Sequence, residues 1–203
     1  MNDRMQRAQT HWLRRVLAEI DSFSGATAGR GELEALRGRL VELAWADGCP
    51  TADSLVADGD ADRFRRHPLA SVVAEGCSAL LMYWPPGHAS LPHDHGGLWG
   101  IEIALDGRLE VDEYVRSGDA AEPTLAHVRS LSLAPGDAAV FSGAQYVHRC
   151  RNLSNVAAVL TLHVYGGTLS AYTAFEADAP GRYRSVAKTA QSDRALLERR
   201  GGR

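Results

Sequence analysis

The most informative stretch of the chain reads Gly87-His88-Ala89-Ser90-Leu91-Pro92-His93-Asp94-His95, and a further histidine, His148, follows about fifty residues later. Residues i and i+2 of a β-strand point to the same side, roughly 6–7 Å apart, so His93 and His95 can hold one metal ion together. We expect His148, on another strand, to supply the third ligand. Neutral imidazole is the commonest metal ligand, and three ligands leave positions open for a substrate and a small gas or water molecule.

The flanks of this stretch favour a metal site over an accidental surface pair of histidines. Trp84-Pro85-Pro86-Gly87 precedes the pair, and Trp99 and Gly107 are spaced along the strand expected after it. A lone His-x-His pair without such surroundings is usually a surface feature with no chemical role.

Composition limits the classes of partner. The 203 residues carry a formal net charge of −3, with charges of both signs mixed along the chain, so no basic field invites nucleic acid or a membrane surface. The opening Met1–Arg7 leads into no signal-type apolar stretch, and no apolar run approaches about 18 residues. Three cysteines without CxxC spacing, Cys49, Cys77 and Cys150, indicate reduced thiols and a cytoplasmic protein.

The first part of the chain is predicted to be helical. Apolar residues recur there at helical spacing, first as Trp12, Leu13, Val16, Leu17 and Ile20, then as Leu33, Leu36, Leu40, Val41 and Leu43. A third short helix is expected near Ala52–Arg65. These segments carry no recognisable chemistry, so we interpret residues 1–68 as a helical cap packed on the main body.

From about Leu69 the pattern changes to short apolar or alternating runs at roughly ten-residue spacing, separated by Gly, Pro and Asn turns. The runs are Ser71–Val73, Ala79–Trp84, Leu98–Leu105, Leu109–Val115, Ala126–Leu133, Ala138–Phe141, Tyr146–Arg151 and Val156–Tyr165. Without intervening helices, they predict an antiparallel sandwich or barrel over residues 69–176. Residues 177–203 are expected to be a tail, within one compact domain overall.

Two motifs resemble those of the cupin superfamily, whose fold is a mainly β jelly-roll barrel, the double-stranded β-helix. The first runs from Gly87 through His93-Asp94-His95 to Gly107, and the second from Pro135-Gly136-Asp137 to His148 and Asn152.

One departure from the cupin pattern concerns the fourth ligand. Near the position where four-ligand cupins carry a glutamate, this chain has Gly100 and its neighbour Ile101. Glu102 lies close by, but strand alternation is expected to turn its side chain away. The resemblance therefore implies a site of three histidines.

Within the cupins, the chain is most similar to the thiol dioxygenases of the cysteine dioxygenase family. Three segments carry this resemblance: Trp84–His95, Val147–Asn152 and Thr161–Tyr165, within a similarity that covers about residues 65–175. Gly100 stands where mammalian members have the cysteine that crosslinks to the tyrosine, so the resemblance is to the bacterial, uncrosslinked type.

Thr161, His163 and Tyr165 resemble the Ser-x-His-x-Tyr relay of that family. They alternate along one strand, so their side chains face the same way. The threonine hydroxyl can fix the imidazole tautomer, and the imidazole can hold the Tyr165 hydroxyl toward the metal. Three polar residues on a solvated strand face are the alternative. Cys150 has the same strand parity as His148, which allows it to line the cavity as a buried, inert thiol.

Substrate capture is expected to need Arg66, within Phe64–His67, because a guanidinium pairs with a carboxylate through two hydrogen bonds. The family arginine at this position binds the carboxylate of cysteine, whereas 3-mercaptopropionate enzymes tend to have glutamine. The segment after Tyr165, Gly166-Gly167, in contrast resembles the corresponding segment of the 3-mercaptopropionate enzymes. Arg65, beside Arg66, could provide a second cation for a dicarboxylate such as mercaptosuccinate. Adjacent residues of a strand normally face opposite sides, however, so we expect Arg65 to be solvated.

The resemblance therefore implies an iron(II) enzyme that oxidises a small carboxylated thiol, with cysteine favoured, to its sulfinic acid with dioxygen. Imidazoles alone would also suit zinc, nickel or copper. The expected partners are the thiol and dioxygen, in a monomer or small homo-oligomer, without nucleic acid or membrane. A non-catalytic cupin sensor or binding module is the second hypothesis, although the first seventy residues show no basic DNA-binding helix pair. Another metallo-cupin enzyme is the third, and the relay argues against it.

Overall fold

The computed structural model describes residues 3–23, 28–55, 61–70 and 77–197. Its helices are α1 (Asp3–Asp21), α2 (Arg30–Ala44) and the short α3 (Ala52–Leu55). The indole N–H of Trp12 in α1 donates to the Leu43 carbonyl of α2 at 2.7 Å, which ties the first two helices together. None of the described helices is both long and apolar enough to cross a membrane.

The body of the described chain is built from ten antiparallel strands. They are β1 (Arg65–Pro68), β2 (Ser78–Trp84), β3 (Gly100–Asp106), β4 (Leu109–Gly118), β5 (Pro123–Leu133), β6 (Ala138–Phe141), β7 (Tyr146–Asn152), β8 (Val159–Tyr165), β9 (Ala171–Ala179) and β10 (Arg182–Thr189). One sheet has the order β1-β2-β8-β3-β6, and the other β7-β4-β5-β10-β9. The predicted mainly β fold class with N-terminal helices is confirmed, and the strands form two antiparallel sheets.

The central strands of the first sheet are buried on both faces. On its outer face Ile101, Leu162 and Val164 pack in one apolar cluster with residues of α1 and α2. On its inner face Met82 and Tyr165 belong to a second cluster that fills the space between the sheets. β8 is therefore buried along its whole length, including the polar Thr161 and His163 on its inner face.

The β body extends beyond the predicted bounds at both ends. β1 begins before residue 69 and pairs with β2, and β9 and β10 continue past residue 176 as a hairpin whose β10 also pairs with β5. β1 and β10 carry several charged residues, so apolar periodicity did not reveal them. The expected third helix near Ala52–Arg65 is described only as α3, since residues 56–60 lie outside the described part of the chain, and Arg65 begins β1 instead. The predicted Ser71–Val73 run also lies outside the described residues.

Candidate active site

The three predicted ligand histidines come together between the two sheets. His93 and His95 lie in the segment between β2 and β3, which is not a regular strand, whereas His148 lies on β7. Two backbone hydrogen bonds join His93 to His148. The His93 amide donates to the His148 carbonyl at 2.9 Å, and the His148 amide donates to the His93 carbonyl at 3.0 Å. One ring nitrogen from each of the three residues lies within 4.8 Å of the others.

The state of these imidazoles fits a metal ion. His93 Nδ1 lies 2.9 Å from the Leu91 carbonyl oxygen and donates to it, which leaves Nε2 available. Both ring nitrogens of His95 are buried and have no hydrogen-bond partner among the described residues, an arrangement that costs free energy unless a ligand engages them. Burial, with neighbouring positive charge, holds the pKa of His95 and of His148 well below the ordinary value, so both are neutral, as metal binding requires.

Asp94, between two of the histidines, holds this segment in place. Its carboxylate accepts hydrogen bonds from the Thr173 amide of β9 at 2.9 Å and from the Arg116 guanidinium of β4 at 3.2 Å. The carboxylate thus joins the His93–His95 segment to two strands of the second sheet. Its position between two ligands was visible in the sequence, but its partners were not.

The relay predicted on β8 is present and has one more member. The Trp84 indole N–H donates to Thr161 Oγ1 at 2.8 Å, and Thr161 Oγ1 lies 2.8 Å from His163 Nε2. His163 Nδ1 is 3.2 Å from the Tyr165 hydroxyl. Sequence reasoning treated Trp84 only as part of the flanking motif, because its partner lies on a different strand.

The proton positions in this relay follow from its donors. Since an indole can only donate, Thr161 accepts from Trp84 and is free to donate its own proton to His163 Nε2. Burial, with Arg66 and His93 nearby, lowers the pKa of His163 to about 3, so the ring is neutral with its proton on Nδ1. That proton goes to the Tyr165 oxygen. Burial raises the pKa of Tyr165, which therefore keeps its own O–H for the cavity.

A cavity of about 140 Å³ opens beside the cluster. Its walls combine apolar side chains, two of the three clustered histidines, three of the four relay residues and two cations: Phe64, Arg66, Met82, Trp84, Ser90, Leu91, His93, His148, Cys150, His163, Tyr165, Leu169, Tyr172, Ala174 and Lys188. The structure thus brings Arg66 to the same cavity as His93, His148 and the Tyr165 end of the relay.

The two neighbouring arginines of β1 have different surroundings, as strand alternation predicts. Arg66 lines the cavity and donates to the Gln191 carbonyl at 3.3 Å. Arg65 does not line it and forms an ion pair with Asp193 at 3.2 Å, its side chain only 15% exposed. The expectation of a solvated Arg65 is therefore wrong, because Asp193 after β10 covers it.

The expected orientation of Glu102 is also wrong. Glu102 faces His163 in the β3–β8 register, two residues after Gly100 and on the same inner face. Its carboxylate is fully buried, 3.6 Å from His148 Nδ1, and accepts from the Cys150 thiol at 3.4 Å. Burial raises the pKa of Glu102 to about 7.

Glu102, His148 and Cys150 also form a second group whose ligand atoms could hold a metal ion, but Glu102 does not belong to the three-histidine group. We therefore place Glu102 behind His148 rather than among the ligands. Cys150 lines the cavity, and burial beside Glu102 raises the pKa of its thiol well above the ordinary value, as expected of an inert cysteine.

Gly100 is a steric necessity in this structure. A Cβ at Gly100 would lie 2.1 Å from the Phe141 ring, and Phe141 itself stacks on His95 at 4.5 Å between ring centroids. The ring of Phe141 occupies the space that a side chain at position 100 would need. Gly166 is constrained in the same way, because a Cβ there would lie 2.1 Å from the Trp99 indole.

The remaining histidines that were predicted to be structural or exposed do not join the cluster. His88 stacks on Phe64 at 4.8 Å, His127 lies within hydrogen-bond distance of Ser130, and His11 is exposed. His67 is half-buried on β1, outside the lining of the cavity.

Comparison with known proteins adds a family match. A family model described as cysteine dioxygenase type I matches residues 50–178. No curated protein matches the chain at a significant level. Among solved structures, the chain is similar to a cupin-superfamily sugar phosphate isomerase from Silicibacter pomeroyi, with 21% identity over 57% of this chain and 69% of that one and a TM-score of 0.38. A cupin-superfamily protein from Desulfitobacterium hafniense has 12% identity over 58% and 87%, with a TM-score of 0.41. KdgF from Halomonas sp. has 20% identity over 52% and 79%, with a TM-score of 0.38.

Proposed function

This chain belongs to the cysteine dioxygenase type I family, and on that premise we propose that it oxidises a small carboxylated thiol to its sulfinic acid with dioxygen. The observation that carries the proposal is the buried His95 imidazole, without a hydrogen-bond partner, in a cluster with His93 and His148. Three of the four relay residues, Trp84, His163 and Tyr165, line the adjoining cavity.

Iron(II) is the cofactor that we propose for His93, His95 and His148. When bound, iron supplies the redox centre at which a thiolate and dioxygen can react. Three neutral imidazoles suit a divalent ion and leave its remaining positions to substrates. The family resemblance selects iron over zinc, nickel or copper, which the same imidazoles would also bind.

The protein's own residues bind and orient the thiol. Arg66 is placed to take a substrate carboxylate with paired N–H donors. The relay presents the Tyr165 O–H to the cavity, where it can donate to the reacting sulfur or oxygen. Phe64, Met82 and Leu91 form an apolar part of the cavity wall. This wall keeps water from competing for the N–H donors of Arg66 and the O–H donor of Tyr165.

The reaction balances without a further cosubstrate. A thiol and one dioxygen molecule give one sulfinic acid, RSH + O₂ → RSO₂H, in which the sulfur loses four electrons and gains both oxygen atoms. No external reductant is consumed. The sequence favours cysteine as the thiol, with 3-mercaptopropionate and mercaptosuccinate as the alternatives.

Labelled oxygen tests the proposal. Iron-loaded protein, incubated with each thiol under ¹⁸O₂ and without reductant, is expected to form a sulfinate that carries two heavy oxygen atoms by mass spectrometry. A disulfide or a product with a single oxygen atom would exclude this reaction. Thiol binding without oxygen uptake would instead favour the non-catalytic binding module.

A further inference from the structure

The hairpin β9–β10 forms one wall of the cavity. Tyr172 on β9 lies directly opposite Lys188 on β10, and directly opposed residues in a sheet project from the same face. Both line the cavity, and the Tyr172 ring lies 5.5 Å from the ring of His93. The hairpin therefore brings an ammonium group to the cavity in which the histidines lie.

Lys188 is the second cation of this cavity. Arg66 on β1 is the other, and none of the described lining residues is acidic. The Lys188 ammonium has one carboxylate nearby, Glu176 at 3.6 Å, which is longer than an ordinary hydrogen bond. Arg184 holds that carboxylate more closely, at 2.6 Å. Glu176 thus leaves most of the donor capacity of Lys188 unused.

We propose that Arg66 and Lys188 together form a site for two carboxylates, so that the cavity selects thiols that carry two carboxylates. This inference rests on the proposed function for the chemistry at sulfur. Arg66 takes one carboxylate through paired hydrogen bonds, and Lys188 takes the other as a compact charge. Lys188 thus supplies the second cation for a dicarboxylate, for which the sequence offered Arg65.

The same charges disfavour an ammonium on the substrate. Cysteine would bring a third positive charge toward Arg66 and Lys188, with no acidic side chain among the described lining residues to receive it. Mercaptosuccinate brings a second negative charge instead. The inference therefore ranks mercaptosuccinate above both cysteine and 3-mercaptopropionate.

A matched pair of thiols isolates the contribution of Lys188. Mercaptosuccinate is 3-mercaptopropionate with one additional carboxylate, so the ratio of their dissociation constants reports on that group. We would measure both constants by calorimetry on the iron-loaded protein under argon, where no turnover occurs. The wild-type protein is expected to bind mercaptosuccinate more tightly.

Substitution of Lys188 should remove this preference. Lys188→Met keeps most of the side-chain length without the charge. It is expected to reduce the ratio of the two dissociation constants, and so the preference for mercaptosuccinate, about tenfold, because one charge-assisted contact at a partly exposed group is lost. Lys188→Arg should restore most of it. The control is Arg182→Met, which removes a cation from the same hairpin that pairs with Glu122 and lies outside the cavity lining, and should leave the preference unchanged.

The outcomes separate the two proposals. Equal weakening of both thiols in Lys188→Met, or an unchanged preference, would overturn the two-carboxylate site. If the preference depends on Lys188 but no thiol supports oxygen uptake in air, the two-carboxylate site stands and the proposed dioxygenase function fails.

Discussion

The indole of Trp84 on β2 donates a hydrogen bond to Thr161 Oγ1 on the adjacent β8 at 2.8 Å. This contact sets the direction of the relay, because it leaves the Thr161 proton for His163 and the His163 proton for Tyr165. The Tyr165 O–H then points to the cavity as a donor. Trp84, which the sequence placed only in a flanking motif, is therefore part of this hydrogen-bonded relay.

Thr161→Val should lower kcat by roughly ten- to a hundredfold, as is typical when a group that orients a functional side chain is lost. The variant keeps the shape of the side chain but cannot pass a proton to His163. Thr161→Ser, which retains the hydroxyl, is the matched control and should keep most of the activity. Steady-state oxygen uptake and iron content are the measurements. Equal kcat values in the two variants would show that the hydroxyl has no role.

His95→Ala should reduce bound iron to background, because both ring nitrogens of His95 are buried without a hydrogen-bond partner among the described residues and are left for a metal ion. Iron per protein, measured by elemental analysis after desalting, checks this, and activity should fall in parallel. His127→Ala is the control, since His127 is exposed and lies outside the cluster. Full iron occupancy in the His95 variant would contradict the ligand assignment.

Arg66→Ala should depress kcat/KM for a carboxylated thiol by about two orders of magnitude with iron still bound, because a charge-assisted contact to the carboxylate is worth a few kcal/mol. Cysteamine, which has no carboxylate, should be a poor substrate of the wild-type enzyme. Arg182→Ala, on the exposed part of β10, is the control. Equal rates with cysteamine and the carboxylated thiols would show that no carboxylate is recognised.

Glu102→Gln should retain bound iron, because Glu102 lies outside the three-histidine group. The amide oxygen can still accept from the Cys150 thiol, which preserves the packing behind His148. Iron analysis and oxygen uptake are the readouts, with the His95→Ala variant as the reference for a lost ligand. Iron reduced to the level of that reference would identify Glu102 as a fourth ligand.

Gly100→Ala should destabilise the protein by about 1–3 kcal/mol, the usual cost of overpacking, because the new Cβ would collide with the Phe141 ring. Gly38→Ala is the opposite case: apart from its own helix backbone and chain neighbours, no atom of the described residues lies within 4 Å of the added Cβ. In the interior of α2 that change should stabilise by about 0.5–1 kcal/mol. Thermal or urea unfolding distinguishes them, and an unchanged midpoint for Gly100→Ala would mean that Phe141 moves without cost.

The local pattern of the sequence was sufficient for the fold class and the candidate ligands. Helical spacing predicted α1 and α2, and period-two alternation with turn residues predicted the strands from β2 to β8, because both signals reflect which side of one element is buried. The spacing of His93, His95 and His148 and the Thr161–Tyr165 alternation are likewise properties of short segments. The structure places each of these groups together.

Contacts between distant segments were decided only by the tertiary structure. The inward Glu102, the Trp84–Thr161 bond and the covering of Arg65 by Asp193 each join side chains on different strands or segments. Lys188 reaches the cavity because β10 pairs with β9 and β5, in a region that reads as a polar tail. Alternation tells which residues of a strand share a face, but which face turns inward depends on sheet pairing. Pairing is set by backbone hydrogen bonds to partners far away in the chain, which a local pattern does not contain.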